Sequence, residues 1–82
     1  MIHCTVKLFA RARDLAGAAE VTVALPDGAT VADLRRALAG ARPALAELLA
    51  RSALAVDSEF ADDAVAVRPG AEVALLPPVS GG

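Results

Sequence analysis

Apolar and polar residues alternate along residues 2–9, which predicts a half-buried strand. Ile2, Cys4, Val6 and Leu8 fall on one side of this stretch, and mostly polar residues fall on the other. A period of two places alternate side chains on opposite faces of a sheet. Cys4 is therefore expected to be a small buried hydrophobe and not a reactive thiol.

The same period of two recurs in three later stretches, residues 20–25, 53–57 and 72–76. Each of them predicts a strand with one face toward the core. Residues 58–64 are acidic and irregular, and residues 64–67 predict a brief strand or extended segment. The inward positions of the three strands are Val21, Val23, Leu25, Leu54, Val56, Val73 and Leu75.

One main helix is predicted from Val31 onward. Thr30 is a good N-cap, and Asp33 three residues later completes a shortened capping box. Apolar residues then recur at helical spacing through Leu34 and Leu38, and Gly40 is expected to end the helix. Arg35 and Arg36 lie off the apolar stripe and are expected on a solvated face.

Two shorter helical segments flank the main helix in sequence. Residues 11–16 predict one short turn closed by Gly17, and the apolar spacing after Pro43 predicts a second short helix. The order is then two strands, helices and further strands, which favours an α+β roll. We expect a β-grasp, ubiquitin-like fold in which one mixed sheet wraps the main helix and the last strand lies beside the first.

Composition narrows the function classes. The chain has 82 residues and a net charge of −2 with no basic stripe, which argues against nucleic-acid binding. Its apolar runs are too short to span a membrane, so a cytoplasmic protein is expected. With one cysteine and one histidine, no metal cluster and no Ser-His-Asp mechanism is expected.

The C-terminal residues carry the most distinctive chemistry. Pro77 and Pro78 end the last strand, and Gly81 and Gly82 end the chain. We therefore divide the chain into a domain, residues 1–76, and a flexible tail, residues 77–82, that can reach about 20 Å. Two terminal glycines arise by chance in roughly one chain in 200. They become significant because they end the chain, follow a Pro-Pro pair that comes directly after a strand, and end an 82-residue β-grasp pattern.

A terminal glycine presents an unhindered carboxylate that can enter a narrow channel. The carboxylate is ionised at neutral pH and is a poor electrophile until an enzyme joins it to a phosphate. A sulfur nucleophile can attack the resulting mixed anhydride and leave a terminal thiocarboxylate. Gly82 is therefore the expected reactive position, with Gly81 giving passage.

The whole chain resembles the molybdopterin synthase small-subunit (MoaD) family of ubiquitin-like sulfur carriers, most clearly in three segments. They are residues 6–17, residues 30–34 and residues 70–82, of which the ending Pro-Pro-Val-Ser-Gly-Gly is the most specific. The sequence departs from the family in two places. Leu75 and Leu76 stand where aromatic residues are common, and Asp57 stands where asparagine is common.

The resemblance implies a sulfur-donating subunit that is not itself catalytic and binds no cofactor. Its terminal glycine would be adenylated by an E1-like enzyme that uses ATP, and a sulfur-donating enzyme would then supply the thiocarboxylate. The tail would enter the large synthase subunit, in a complex of two large and two small subunits. There it would give sulfur to cyclic pyranopterin monophosphate during molybdenum cofactor biosynthesis.

A partner-binding patch is expected beside the tail. Phe9 and Leu76 face outward by strand alternation, and Phe60 lies in a polar segment. Large apolar groups on one side commonly mark an interface. The matching family positions also lie against the large subunit. The tail residues expected to contact partners are Pro77, Pro78, Val79 and Ser80.

Three alternatives remain open at the level of the sequence. The chain could be a sulfur carrier of the thiazole or cysteine pathway, which would share the fold and the tail chemistry. It could be a ubiquitin-like modifier of protein lysines. It could also be a plain β-grasp interaction domain without tail chemistry.

Overall fold

A computed structural model describes residues 1–76 of the chain. The predicted flexible tail, residues 77–82, lies outside the described residues. The strands are β1 (Ile2–Leu8), β2 (Glu20–Leu25), β3 (Ala53–Val56), β4 (Glu59–Ala61) and β5 (Val73–Leu76). The helices are α1 (Ala10–Ala16), α2 (Val31–Ala41) and α3 (Ala46–Arg51), with a 3₁₀ turn at Pro43–Leu45 before α3.

The five strands form one mixed sheet in the order β2-β1-β5-β3-β4. β1 pairs antiparallel with β2 and parallel with β5, so the first and last strands lie side by side at the centre. β3 pairs antiparallel with both β5 and β4. The predicted β-grasp arrangement is confirmed, including the insertion of the last strand beside the first.

One face of the sheet packs on the helices and builds the core. Of the predicted core residues, only Ile2 and Val56 stay half-buried, and both still pack against the core. Cys4 is buried as expected, and burial raises the pKa of its thiol. The fully buried large side chains are Val6, Leu25, Val31, Leu34, Leu38, Leu45, Leu54, Val73 and Leu75.

α2 begins as the sequence predicts but ends later. The Thr30 hydroxyl accepts from the Asp33 N–H, and the Asp33 carboxylate accepts from the Thr30 N–H at 2.9 Å. The prediction that Gly40 ends the helix is wrong, because Gly40 is helical and the cap is Arg42. The next residue, Pro43, disfavours helical backbone at Arg42, which explains the later end.

Two other local predictions need correction. Phe60 belongs to strand β4 and not to an irregular segment, because a two-residue turn at Asp57 and Ser58 brings it back against Ala55. The segment 64–67 forms no strand within residues 1–76. Its only sheet-like contact there is an isolated bridge between Thr30 and Ala66.

The expectation that Arg35 is solvated is also wrong. Its guanidinium donates to the carbonyl oxygens of Leu49 and Ser52 at 2.6 and 2.9 Å and to an Asp63 carboxylate oxygen at 2.8 Å. The side chain is only 23% exposed. These carbonyls lie at the C-terminal end of α3, where intrahelical donors run out. Arg35 therefore ties α2 to α3, whereas Arg36 stays exposed and pairs with Asp33.

Candidate functional site

The candidate site is the outer face of the sheet at the end where the tail begins. Residues directly opposite each other on neighbouring strands present their side chains on the same face. The register Lys7–Ala74–Ala55–Phe60 therefore runs as one row across β1, β5, β3 and β4. This row faces away from the core, because Val73 and Leu75 on either side of Ala74 are buried.

Phe9 and Leu76 lie together at the end of this face. Leu8 pairs with Leu75, and each strand then continues by one residue in the same direction, to Phe9 and to Leu76. Phe9 has left the strand and acts as the N-cap of α1, with its side chain 47% exposed. The structure thus brings these two predicted partner residues side by side.

Phe60 lies on the same face but farther away. Its strand β4 is separated from β5 by β3, which places it about 10 Å from β5 at the usual strand spacing. Phe60 is 77% exposed, more than any other large apolar residue among residues 1–76 except Met1. The three predicted residues therefore share one face, with Phe9 and Leu76 adjacent and Phe60 at the edge.

Three alanines form a flat surface, the alanine floor, between Leu76 and Phe60. The sequence pattern did not lead us to predict this surface. Ala53 and Ala55 on β3 and Ala74 on β5 occupy outward positions between Leu76 and Phe60. Small side chains leave a shallow depression of about 150 Å³ near Lys7, Ala55 and Ala74. The signal was present, because outward positions of exposed strands usually carry polar residues and here they carry alanine.

Charged groups border this face near the start of β5, at the opposite end of the strand from Leu76. Lys7 pairs with Glu72 at 3.6 Å, and the Asp57 carboxylate accepts from the Glu72 N–H at 3.1 Å and pairs with Arg68. The Glu72 N–H, followed by the Arg68 guanidinium, lowers the pKa of Asp57. Asp57 thus fixes the turn between β3 and β4 to the start of β5.

We call the apolar residues on this face the docking face; they are Phe9, Ala53, Ala55, Phe60, Ala74 and Leu76. The tail starts from its Leu76, at the end of a central strand, while the predicted reactive and tail residues, Gly81 and Gly82 included, lie outside the described residues. Within residues 1–76 no group of acidic, histidine or cysteine side chains could hold a metal ion. No helix in the same part of the chain is long and apolar enough to cross a membrane.

Comparison with known proteins places this geometry in a family. The ThiS family matches residues 6–82, which includes the tail. The molybdopterin synthase sulfur carrier subunit of Chlamydomonas reinhardtii is 39% identical and that of Arabidopsis thaliana 36%. These matches cover 94% and 99% of this chain and 95% and 84% of the relatives. Small archaeal modifier protein 1 of Haloferax volcanii is 40% identical over 93% of this chain and 97% of its own length.

Solved structures give the same result for the fold. The crystal structure of the Haloferax volcanii modifier superposes with a TM-score of 0.86 at 36% identity, covering 98% of this chain and 99% of that one. One chain of a Helicobacter pylori complex of subunits 1 and 2 of molybdopterin-converting factor shares the fold, with a TM-score of 0.69 at 23% identity, covering 99% of this chain and all (100%) of that one. The resemblance seen in the motifs is confirmed. The chain therefore belongs to the ThiS/MoaD family of ubiquitin-like sulfur carriers.

Proposed function

We propose that this chain is the sulfur-carrier small subunit of molybdopterin synthase, with the sulfur held as a thiocarboxylate on Gly82. The observation that carries the proposal is the match to curated carrier subunits over nearly the whole chain, together with a family match that extends to residue 82. The position of β5 also supports it, since a central strand leads into the tail from the docking face.

The chemistry would proceed in two steps at the terminal carboxylate. An oxygen of Gly82 attacks the α-phosphate of ATP in an E1-like enzyme, which gives an acyl-adenylate and releases pyrophosphate. Sulfide delivered by a sulfur-donating enzyme then displaces AMP and leaves the thiocarboxylate. ATP is consumed by the activating enzyme, and this chain holds no cofactor of its own in the proposal.

The large synthase subunit would receive the charged tail. Phe9 and Leu76 would dock on it, while Pro77, Pro78, Val79 and Ser80 would line the path that brings Gly82 to the substrate. The substrate would be cyclic pyranopterin monophosphate, and the family pattern is two large and two small subunits in the cytoplasm. The relatives from Arabidopsis thaliana and Chlamydomonas reinhardtii are named as subunits of molybdopterin synthase, which supports a second subunit as the partner of this chain.

A second candidate function is a ubiquitin-like protein modifier. The observation that favours it is the 40% identity to small archaeal modifier protein 1. The activation step would be the same, but a lysine amine would take the place of sulfide. A carrier of the thiazole pathway would likewise share the activation step and differ only in the acceptor.

The test is intact-mass analysis of the chain after incubation with the E1-like enzyme, ATP and a sulfur donor. We expect a mass increase equal to the exchange of one oxygen for one sulfur. Adding the large subunit and cyclic pyranopterin monophosphate should return the chain to its original mass and produce the dithiolene. Isopeptide adducts on protein lysines would support the modifier, and an unchanged chain would contradict both.

A further inference from the structure

Three arginines at one end of the molecule pair with no carboxylate in residues 1–76. The chain carries 10 acidic and 8 basic residues, so partners for ion pairs are plentiful. Arg42 donates to the Ala41 carbonyl. Four other basic residues form ion pairs, whereas Arg11, Arg13 and Arg51, like Arg42, form none within residues 1–76. The paired ones are Lys7, Arg35, Arg36 and Arg68.

The sheet topology places these three arginines around the start of the tail. Leu76 pairs with Ala53 in antiparallel register, so Arg51, two residues before Ala53, lies on the side toward which β5 runs. β1 runs parallel to β5 and leads at the same end into α1, which carries Arg11 and Arg13. The tail therefore begins between two basic segments.

Two surface grooves show how the arginines are distributed. Arg11 and Arg51 line one groove of about 190 Å³, together with Glu47. Arg13 lines a second groove of about 480 Å³ with Phe9 and Glu20, next to the docking face. Neither glutamate pairs with an arginine in the described part of the chain, and all three arginine side chains are exposed.

Helix stability explains only part of this placement. Arg13 and Arg51 lie in the last turns of α1 and α3, where a positive charge is favourable. Arg11 lies in the first turn of α1, which has no acidic residue, and a positive charge is unfavourable at that end of a helix. The stability of α1 therefore does not explain the arginine at position 11, whereas contact with a partner would explain it.

We propose that Arg11, Arg13 and Arg51 form a basic collar around the start of the tail. The collar would dock on an acidic rim around the channel of the large synthase subunit that receives the tail. This inference rests on the proposed function and adds the charge of the partner surface. Guanidinium groups match carboxylates in geometry as well as charge.

A collar of this kind suits a carrier that must bind and leave repeatedly. Charges at the rim of an interface speed association more than they raise affinity, with gains of about 10–1,000-fold that fall with salt. The chain as a whole is acidic, so a local basic surface would also orient it with the tail toward the channel. The apolar docking face would then supply the short-range contacts.

The test measures association of the full chain with the large synthase subunit of the same organism at low and high salt. Arg11→Glu should slow association several-fold at low salt without lowering stability, because an acidic residue suits the first turn of a helix. The triple variant Arg11→Glu, Arg13→Glu, Arg51→Glu should slow it at least tenfold at low salt and reverse the salt dependence, because added salt would screen the repulsion between the three glutamates and an acidic rim. Arg36→Glu changes the net charge by the same amount as Arg11→Glu, but on another surface, and should leave the rate unchanged.

The outcomes separate this inference from the proposed function. If the parent chain does not bind the large subunit, the proposed function fails and the collar fails with it. If the parent binds and the triple variant, shown folded by circular dichroism, associates equally fast, only the collar is overturned. The collar is also overturned if the variant keeps its association with the large subunit and loses adenylation, since the arginines would then serve the activating enzyme.

Discussion

The guanidinium of Arg35 joins two helices and a loop through three hydrogen bonds. Two of its acceptors, the carbonyls of Leu49 and Ser52, lie at the end of α3, and the third is the carboxylate of Asp63. A donor that serves three acceptors in fixed geometry is a property of arginine that lysine does not reproduce. The packing of α3 against α2 therefore depends on Arg35, a residue that the sequence pattern predicts to be solvated.

Replacing Arg35 should destabilise the fold more than its partly exposed position suggests. Arg35→Met keeps the stem of the side chain but leaves the carbonyls without this donor, and we expect a loss of about 1–3 kcal/mol. Urea unfolding should show a lower midpoint at an unchanged slope. Arg36→Met is the matched control and should cost less than about 1 kcal/mol, since its ion pair is exposed. Equal losses in the two variants would contradict the role of Arg35.

Asp57 should make stability depend on pH in the acid range. The Glu72 N–H and the Arg68 guanidinium lower its pKa from 3.8, so the folded state favours the charged form. This contribution is present above the unfolded value of 3.8 and is lost as the pH falls through the lower folded value. Asp57→Asn should show a shallower fall of the urea midpoint below pH 3.8 than the parent. The same steepness in both proteins would show that Asp57 does not contribute.

At the scale of elements, the hairpin of β3 and β4 is held by an unusual turn. Asp57 and Ser58 both have positive φ angles, 51° and 69°, in a two-residue connection. Such turns favour Asn-Gly or Asp-Gly, because residues with a Cβ are strained in the left-handed region. The hairpin carries Phe60 to the edge of the docking face, so the strained turn positions a candidate partner residue.

Ser58→Gly should stabilise the domain. Glycine relieves the strain at φ 69°, and part of the gain is offset by its greater freedom in the unfolded chain. We expect a net gain of up to about 1 kcal/mol in the free energy of unfolding, measured with urea. Ser58→Ala keeps the Cβ and should bring no gain. A stabilisation of the alanine variant equal to that of glycine would rule out backbone strain as the cause.

Much of the fold could be predicted because its signals are local. Alternation placed β1, β2 and β5, and the capping residues Thr30 and Asp33 placed the start of α2. The errors arose where distant residues decide the structure. Arg35 is held by carbonyls from another helix, and Phe60 becomes a strand residue only because β3 offers a partner.

The candidate site was also predicted only where its signals are local. Alternation predicted that Phe9 and Leu76 face outward and that their strands are neighbours, and the parallel pairing of β1 with β5 confirms that the strands are neighbours. The alanine floor and the arginines at the start of the tail could not be found from local patterns, since each set collects residues from several elements. Sheet register was needed to bring Ala55 next to Ala74 and Arg51 to the end that holds α1.

At the scale of the whole molecule, the docking face predicts how the chain meets its partner. Phe9→Ala and Leu76→Ala should each stay folded, because neither side chain belongs to the buried core. Each should weaken binding to the large synthase subunit by at least about tenfold, as expected for apolar anchors of an interface. Thr22→Val changes the outer face on β2, two strands from β5, and should bind like the parent. Unchanged binding of both alanine variants by calorimetry would remove the docking face from the interface.

The proposed reaction at Gly82 makes the length of the chain critical. Deleting Gly82 moves the terminal carboxylate back by about 3.5 Å, and adding one alanine after it moves the carboxylate forward and brings a Cβ into the channel. Misplacement by even about 1 Å can slow a reaction on the order of 100-fold. Both variants should therefore lose adenylation by the E1-like enzyme, followed as pyrophosphate release, and thiocarboxylate formation, followed by intact mass.

Stability and activity should separate in these two variants. Residues 1–76 contain the whole described core, so their urea midpoints should match the parent and exclude misfolding as the cause of a lost reaction. The parent with an equal addition at the N-terminus is the control for added length and should be adenylated normally. If the shortened or the lengthened chain were thiolated at the parental rate, the carboxylate of residue 82 would not be the reacting group. The docking face would then have to serve a protein that does not use the tail.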